Sequence, residues 1–221
     1  MKQTRKNKRN HGIKHGIKSK NKTLKLSNKK STYSNKDFSS GDGMLTTVWG
    51  PGMWHYLHTM SFNYPVHPTT QDKKHYRNVI LNLQNTLPCK YCRINLKNNL
   101  KAHPLKMCHM ENRRAFSYYV YRLHEVVNKM LGKQSNLCYN DVRERYEHFR
   151  SRCTESMQKK KLFSFKKSLK TRKKGKKEKE KGCTEPLYGK KAKCIIQIVP
   201  QEKKCPTFQM DNKCIKKRGS A

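Results

Sequence analysis

Two cysteines stand two residues apart in "LPCKYCRINL", Cys89 and Cys92, and their types and spacing offer three chemistries. A Cys-x-x-Cys pair can supply half of a zinc site, form a reversible disulfide, or fill a core with two small side chains; spacing alone suits the first two about equally. His103 and Cys108 follow in a C-x2-C-x10-H-x4-C register that would complete a tetrahedral N/S zinc knuckle in a basic, nucleic-acid-binding protein. The redox alternative needs a thiolate stabilised at a helix N-terminus. Cys92 occupies that position if a helix begins there, and Lys90 and Arg93 add positive charge. A dithiol that cycles also needs an electron acceptor nearby, so the neighbouring elements decide between the readings.

Those elements read as helices. "VWGPGMWHYLHTMSFNYP" opens with a Gly-Pro turn and places Met53, Trp54, Leu57, Met60, Ser61 and Tyr64 at three- and four-residue steps up to Pro65. "TTQDKKHYRNVILNLQNTLP" repeats the pattern through Tyr76, Val79, Ile80, Leu83 and Leu87, and Pro88 closes it. A short third helix runs from Cys92 to about His103, with Pro104 beyond. "NRRAFSYYVYRLHEVVNKMLGK" is the strongest helical pattern, with Gly132 at its C-cap and His124 and Asn128 four apart on one side. "NDVRERYEHFR" adds a short fifth helix with Val142, Tyr146 and Phe149 on its apolar face. The expected fold is all-α: a four-helix bundle plus a short fifth helix over residues 45–153. A helical run between the second cysteine and His103 counts against a zinc knuckle.

Three blocks, "WGPGMWHYLHTMSFNYP", "PCKYCRINL" and "RLHEVVNKMLGK", together resemble the Erv/ALR-type FAD-linked sulfhydryl oxidases in order and in spacing. The resemblance implies a bundle holding FAD beside the cysteine pair, with Cys92 as the flavin-proximal sulfur and Cys89 as the interchange sulfur. It implies FAD contacts from Trp54, His58, Tyr64, His124, Asn128 and Lys133, with Tyr146 where the family commonly has a Trp near the adenine. Its expected partners are thiol-containing client proteins and molecular oxygen, with hydrogen peroxide as product and a homodimer as the family's usual assembly. Two positions depart from the pattern. Glu125 follows His124 where the family usually has Asn, and Tyr121 stands where the family has the first half of a disulfide whose second half would be Cys138. The pairing of Cys108, Cys138 and Cys153 stays open.

Charge sets off the rest of the chain. The 221 residues carry a formal net charge of +38, which calls for acidic partners such as nucleic acid or an anionic membrane surface. Residues 1–44 hold 13 Lys and Arg against 2 acidic residues, and their apolar positions have no sustained period, as expected of a disordered basic tail. Residues 154–181 read as a polybasic linker, in which "FSFKKS" resembles the effector segment of MARCKS-type membrane-binding kinase substrates, with Ser164 and Ser168 at its serine positions. Residues 182–221 read as an appendage carrying Cys183, Cys194, Cys205 and Cys214, either an electron-shuttling arm or a disulfide-stapled unit, with "IIQIV" its one strand-like run. No export signal or membrane span is visible, which points to the cytosol or the mitochondrial intermembrane space. The Lys- and Asn-rich composition resembles the oxidases of large cytoplasmic DNA viruses, where the location would be host cytoplasm or virion.

Overall fold

The computed structural model describes residues 32–41, 43–154, 182–206 and 208–217. The chain divides into two units, Met1–Ser40 and Gly41–Ala221. In the first, α1 (Asn35–Phe38) is one turn started by a capping box in which Ser34 and Asp37 satisfy each other's backbone N–H groups. The basic stretch before it and the segment 155–181, with Ser164 and Ser168, lie outside the described residues.

The second unit is a helical bundle. Its first helix, α2 (Thr46–Phe62), begins earlier than the sequence suggests, and Pro51 lies inside it rather than in a turn before it. Proline here removes a single backbone donor, and the Trp49 indole N–H donates to the Met44 carbonyl at 3.0 Å, which anchors the helix start. α3 (Thr70–Thr86) starts on a Thr69–Asp72 capping box and stops before Pro88, as its sequence pattern requires. α4 (Lys90–Ala102) starts two residues ahead of the expected position, with Cys89 as its N-cap. α5 (Arg113–Met130) starts at Asn112, whose side chain accepts from the Ala115 N–H. It ends in a Schellman motif: Gly132 takes φ +66°, its N–H donates to Lys129, and the Lys133 N–H donates to Asn128 at 2.8 Å. α6 (Tyr139–Glu147) is the short fifth helix of the bundle.

α2 packs against α5 and α6, α3 against α4, and α4 against α5. The main core gathers Leu57, Tyr64, Ile80, Leu96, Leu100, Phe116 and Val120 from four helices; a smaller one joins Phe62 to Val142 and Tyr146. Tyr64, Ile80 and Phe116 are completely buried, so truncating Phe116 to Ala should cost about 3–5 kcal/mol. Polar side chains fix the non-helical backbone between α4 and α5. The Tyr119 hydroxyl donates to the His103 carbonyl at 2.9 Å, the Arg77 Nε to Leu105 at 3.1 Å, and the Tyr64 hydroxyl to Met110 at 2.9 Å.

Strands occur where the sequence pattern gave none. β1 (Ser151–Thr154) and β2 (Gly182–Pro186) form an antiparallel pair with a bulge, tying the C-terminal segment to the end of the bundle. The "IIQIV" run joins no strand; Ile195, Ile196 and Ile198 are exposed. Among the described residues, no helix is long and apolar enough to cross a membrane.

Candidate active site

Residues 43 and 44 belong to the bundle, not to the basic tail. The Met44 N–H donates to the Pro88 carbonyl at 2.7 Å, and Gly43 forms an isolated antiparallel bridge with Cys89. Glycine is required by close approach: a Cβ at position 43 would meet the Pro88 oxygen at 2.7 Å and the Cys89 Cα at 3.1 Å. The same turn is braced from within by Arg93, which donates to the Leu87 carbonyl. A shallow groove lined by Gly43, Met44, Cys89, Lys90 and Tyr91 leads to Cys89.

Both cysteines are free thiols, the reduced form of a dithiol pair. Cys89 Sγ accepts the Cys92 N–H at 3.3 Å, and Cys92 Sγ lies 3.7 Å from Thr46 Oγ1. Hydrogen bonds from the Cys92 side chain and backbone hold the Cys89 thiol below its ordinary pKa, while burial pushes the Cys92 thiol up. Because α4 starts at Lys90, the N-cap position and its N–H donor fall to Cys89, and Cys92 lies one turn further in.

The zinc register does not close. Among the described residues no three His, Cys, Asp or Glu side chains group as metal ligands. Residues 90–102 are continuous helix, which separates Cys92 from His103 by roughly 16 Å at 1.5 Å per residue.

A second cluster forms where α2, α5 and α6 meet. His58, 4% exposed, and His124 are joined by a 2.9 Å bond between Nε2 and Nδ1. Trp54 stacks on His124 with ring centroids 3.9 Å apart and planes 7° apart. Tyr146 lies 5.3 Å from His58 and stacks on Phe62 at 5.5 Å. Burial lowers the pKa of His58 to about 3 and of His124 to about 4, so both rings are neutral near pH 7. Lys133, brought back by the Schellman turn, is close enough to reinforce the shift at His124. Asn128, one helical turn beyond His124, gives its amide N–H to Glu125 at 3.1 Å, and Glu125 also accepts from Ser135 at 2.9 Å. Glu125 thus braces the end of α5.

The structure therefore gathers Trp54, His58, His124 and Tyr146, with Asn128 and Lys133 at the edge. Tyr64 is not among them: it is completely buried in the main core against Tyr76 and Phe116, with its hydroxyl on Met110. Two polar residues absent from the expected set carry buried atoms without a hydrogen-bond partner among the described residues. They are His55 at Nδ1, beside Tyr146, and Asn99 at Nδ2, on α4; His58 Nδ1 is likewise unpartnered. Asn99 lies seven residues after Cys92 and so shares its helix face, a signal available from sequence once α4 is placed.

Tyr121 joins α5 to the segment before α6 by a hydrogen bond. Its hydroxyl donates to the Leu137 carbonyl at 3.0 Å, tying α5 to the start of α6, while Cys138 stays a free, exposed thiol. Cys108, Cys194, Cys205 and Cys214 are also free, and Cys183 is disulfide-bonded.

Fold and site together define a mostly helical dithiol protein with a buried histidine–aromatic cluster in the same bundle. Residues 51–147 match the Erv1 / Alr family, and the chain belongs to that family. A probable FAD-linked sulfhydryl oxidase of Acanthamoeba polyphaga mimivirus is 32% identical over 104 residues, 47% of this chain and 72% of the relative. The FAD-linked sulfhydryl oxidase of African swine fever virus is 30% identical over 99 residues, 45% of this chain and 80% of the relative. The FAD-linked sulfhydryl oxidase ERV1 of Arabidopsis thaliana is 33% identical over 98 residues, 44% of this chain and 49% of the relative. The crystal structure of the yeast Erv1 core covers 55% of this chain and 95% of its own, at 21% identity and a TM-score of 0.43.

Proposed function

We propose that this protein is an FAD-dependent thiol oxidase that makes disulfides in thiol-containing substrates with oxygen as final acceptor. The observation that carries this reading is the Cys89–Cys92 pair at the start of α4, in the same bundle as the His58–His124–Trp54 cluster. The residues suit FAD: an unpaired buried polar atom costs about 1–3 kcal/mol; His55 and His58 each carry one among the packed rings, and Asn99 carries one on α4, the helix of the cysteine pair. A planar, hydrogen-bonding ligand would satisfy them. Trp54, His58, His124, Asn128, Lys133 and Tyr146 would hold it. FAD, when bound, supplies the two-electron acceptor that links the dithiol to oxygen and so to hydrogen peroxide.

The chain's own residues do the thiol chemistry. A substrate thiolate attacks Cys89 Sγ of the Cys89–Cys92 disulfide. The S–S bond breaks, and Cys92 Sγ leaves with the electron pair; once displaced it takes up a proton, which its raised pKa favours. The second substrate thiol then attacks its partner sulfur, and Cys89 leaves; its lowered pKa makes it the better leaving group. The substrate departs as a disulfide and the pair is left as two thiols, holding two electrons and two protons. Neutral His58 and His124 keep a positive charge from being buried beside the cofactor. The groove at Gly43, Met44 and Tyr91 admits the substrate to Cys89.

The net charge of +38 supports acidic surfaces, membrane or nucleic acid, as further partners through the basic segments, and family membership supports a homodimer. Oxygen consumption by the purified yellow protein with a small dithiol tests the reading; a colourless, inactive preparation would overturn it.

A further inference from the structure

The C-terminal segment lies outside the residues that match the family, yet it reaches the aromatic cluster. Phe208 lies 5.9 Å from His55, with planes at 40°, and meets Phe149 edge-on at 6.2 Å; the Arg145 guanidinium lies 4.6 Å from its ring centroid. His55 in turn faces Tyr146 at 5.5 Å and Phe149 at 5.7 Å, with Nδ1 buried and unpartnered. Two hydrogen bonds fix the segment there, from the Lys216 N–H to His148 Nδ1 at 3.2 Å and from the Leu187 N–H to the Arg150 carbonyl at 2.7 Å, and the Lys190 N–H closes the segment on itself at the Lys213 carbonyl, 2.8 Å away.

We infer that Phe208 and His55 are additional FAD-binding residues, and that the C-terminal segment completes the site at its adenine end. The inference rests on the FAD reading. The redox ring of the cofactor must lie beside Cys92 on α4, and α4 packs on α3 and α5 but not on α6. The group at Tyr146, Phe149 and Phe208 is built on α6 and the C-terminal segment, so it meets the opposite end of the molecule, the adenine. A purine suits this place, since it stacks on aromatic faces and offers ring and amino nitrogens to the His55 imidazole. Arg145 holds Phe208 in position through a cation–π contact.

FAD release from the full-length protein, followed by the rise in flavin fluorescence, tests this. Phe208→Ala should release FAD about tenfold faster than wild type, the lower end of what one aromatic–base contact is worth, and Phe208→Trp should restore near-wild-type release. His55→Phe, which keeps the ring and loses the nitrogen, should release FAD about fivefold faster. Release from Phe208→Ala within about twofold of wild type, or slower than wild type as expected of a ring that plugs the site, overturns the inference while leaving the FAD reading intact. A wild-type chain that never holds flavin overturns both.

Discussion

Acid should unfold this protein through the His58–His124 pair before any carboxylate is involved. Both rings titrate lower in the folded chain, to about 3 and about 4, so between those values and the ordinary 6.5 the unfolded chain binds more protons. Their contribution is complete above about pH 6.5 and is lost as pH falls toward the folded values. Going from about pH 7 to about pH 5, each histidine contributes a loss of about 2 kcal/mol, or about 4 kcal/mol for the pair. His55 and His109, also shifted downward by burial, add in the same direction. Asp72, Asp141 and Glu147 are held below the usual carboxylate range by their hydrogen bonds, so they stay ionised over this interval. Urea unfolding at the two pH values, for wild type and for His58→Gln/His124→Gln, isolates the pair. The double variant should lose about 4 kcal/mol less than wild type on acidification. Equal losses in the two proteins would refute the burial of neutral histidines as the cause.

Gly43→Ala should keep the bound flavin but sharply slow dithiol oxidation, because the new Cβ displaces Pro88 and Cys89; steady-state oxygen uptake at unchanged flavin absorbance checks this. Tyr121→Phe should lower stability by about 1 kcal/mol in thermal unfolding, the value of the lost tie to Leu137. Glu125→Ala should free Asn128 and Ser135 together and weaken FAD retention several-fold, about what one lost hydrogen bond implies, as read by equilibrium dialysis. Turnover should rise with pH into the alkaline range, since burial holds the Cys92 thiol protonated; a pH–rate profile flat above neutrality would count against that assignment.

The helices were legible because their apolar periods, capping residues and terminal Gly132 and Pro88 agree with one another. The cysteine pair was legible from type and spacing at the start of a helix, whereas the two histidines stood out as a pair only through the resemblance to the oxidase family. Three things were not. The start of α4 depends on which residue accepts the first free N–H, and a cysteine N-cap leaves no polar signature, so the sequence pattern starts the helix two residues late. Tyr64 falls just past the end of α2, where the helical period no longer says which side chains it will meet, and it packs on Tyr76 and Phe116. The third is long-range: Phe208 lies 62 residues beyond Tyr146, past a basic stretch with no periodicity, and nothing local ties it to α6.

The central claim is that Cys92 passes electrons from Cys89 to a flavin in this bundle, and oxygen uptake by two single-cysteine variants tests it most directly. Cys92→Ala and Cys89→Ala should both stay yellow and both lose dithiol-dependent oxygen uptake. At alkaline pH Cys89→Ala should in addition gain a long-wavelength charge-transfer band as the Cys92 thiol ionises beside the flavin. Wild-type turnover in either variant, with flavin bound, would contradict the account.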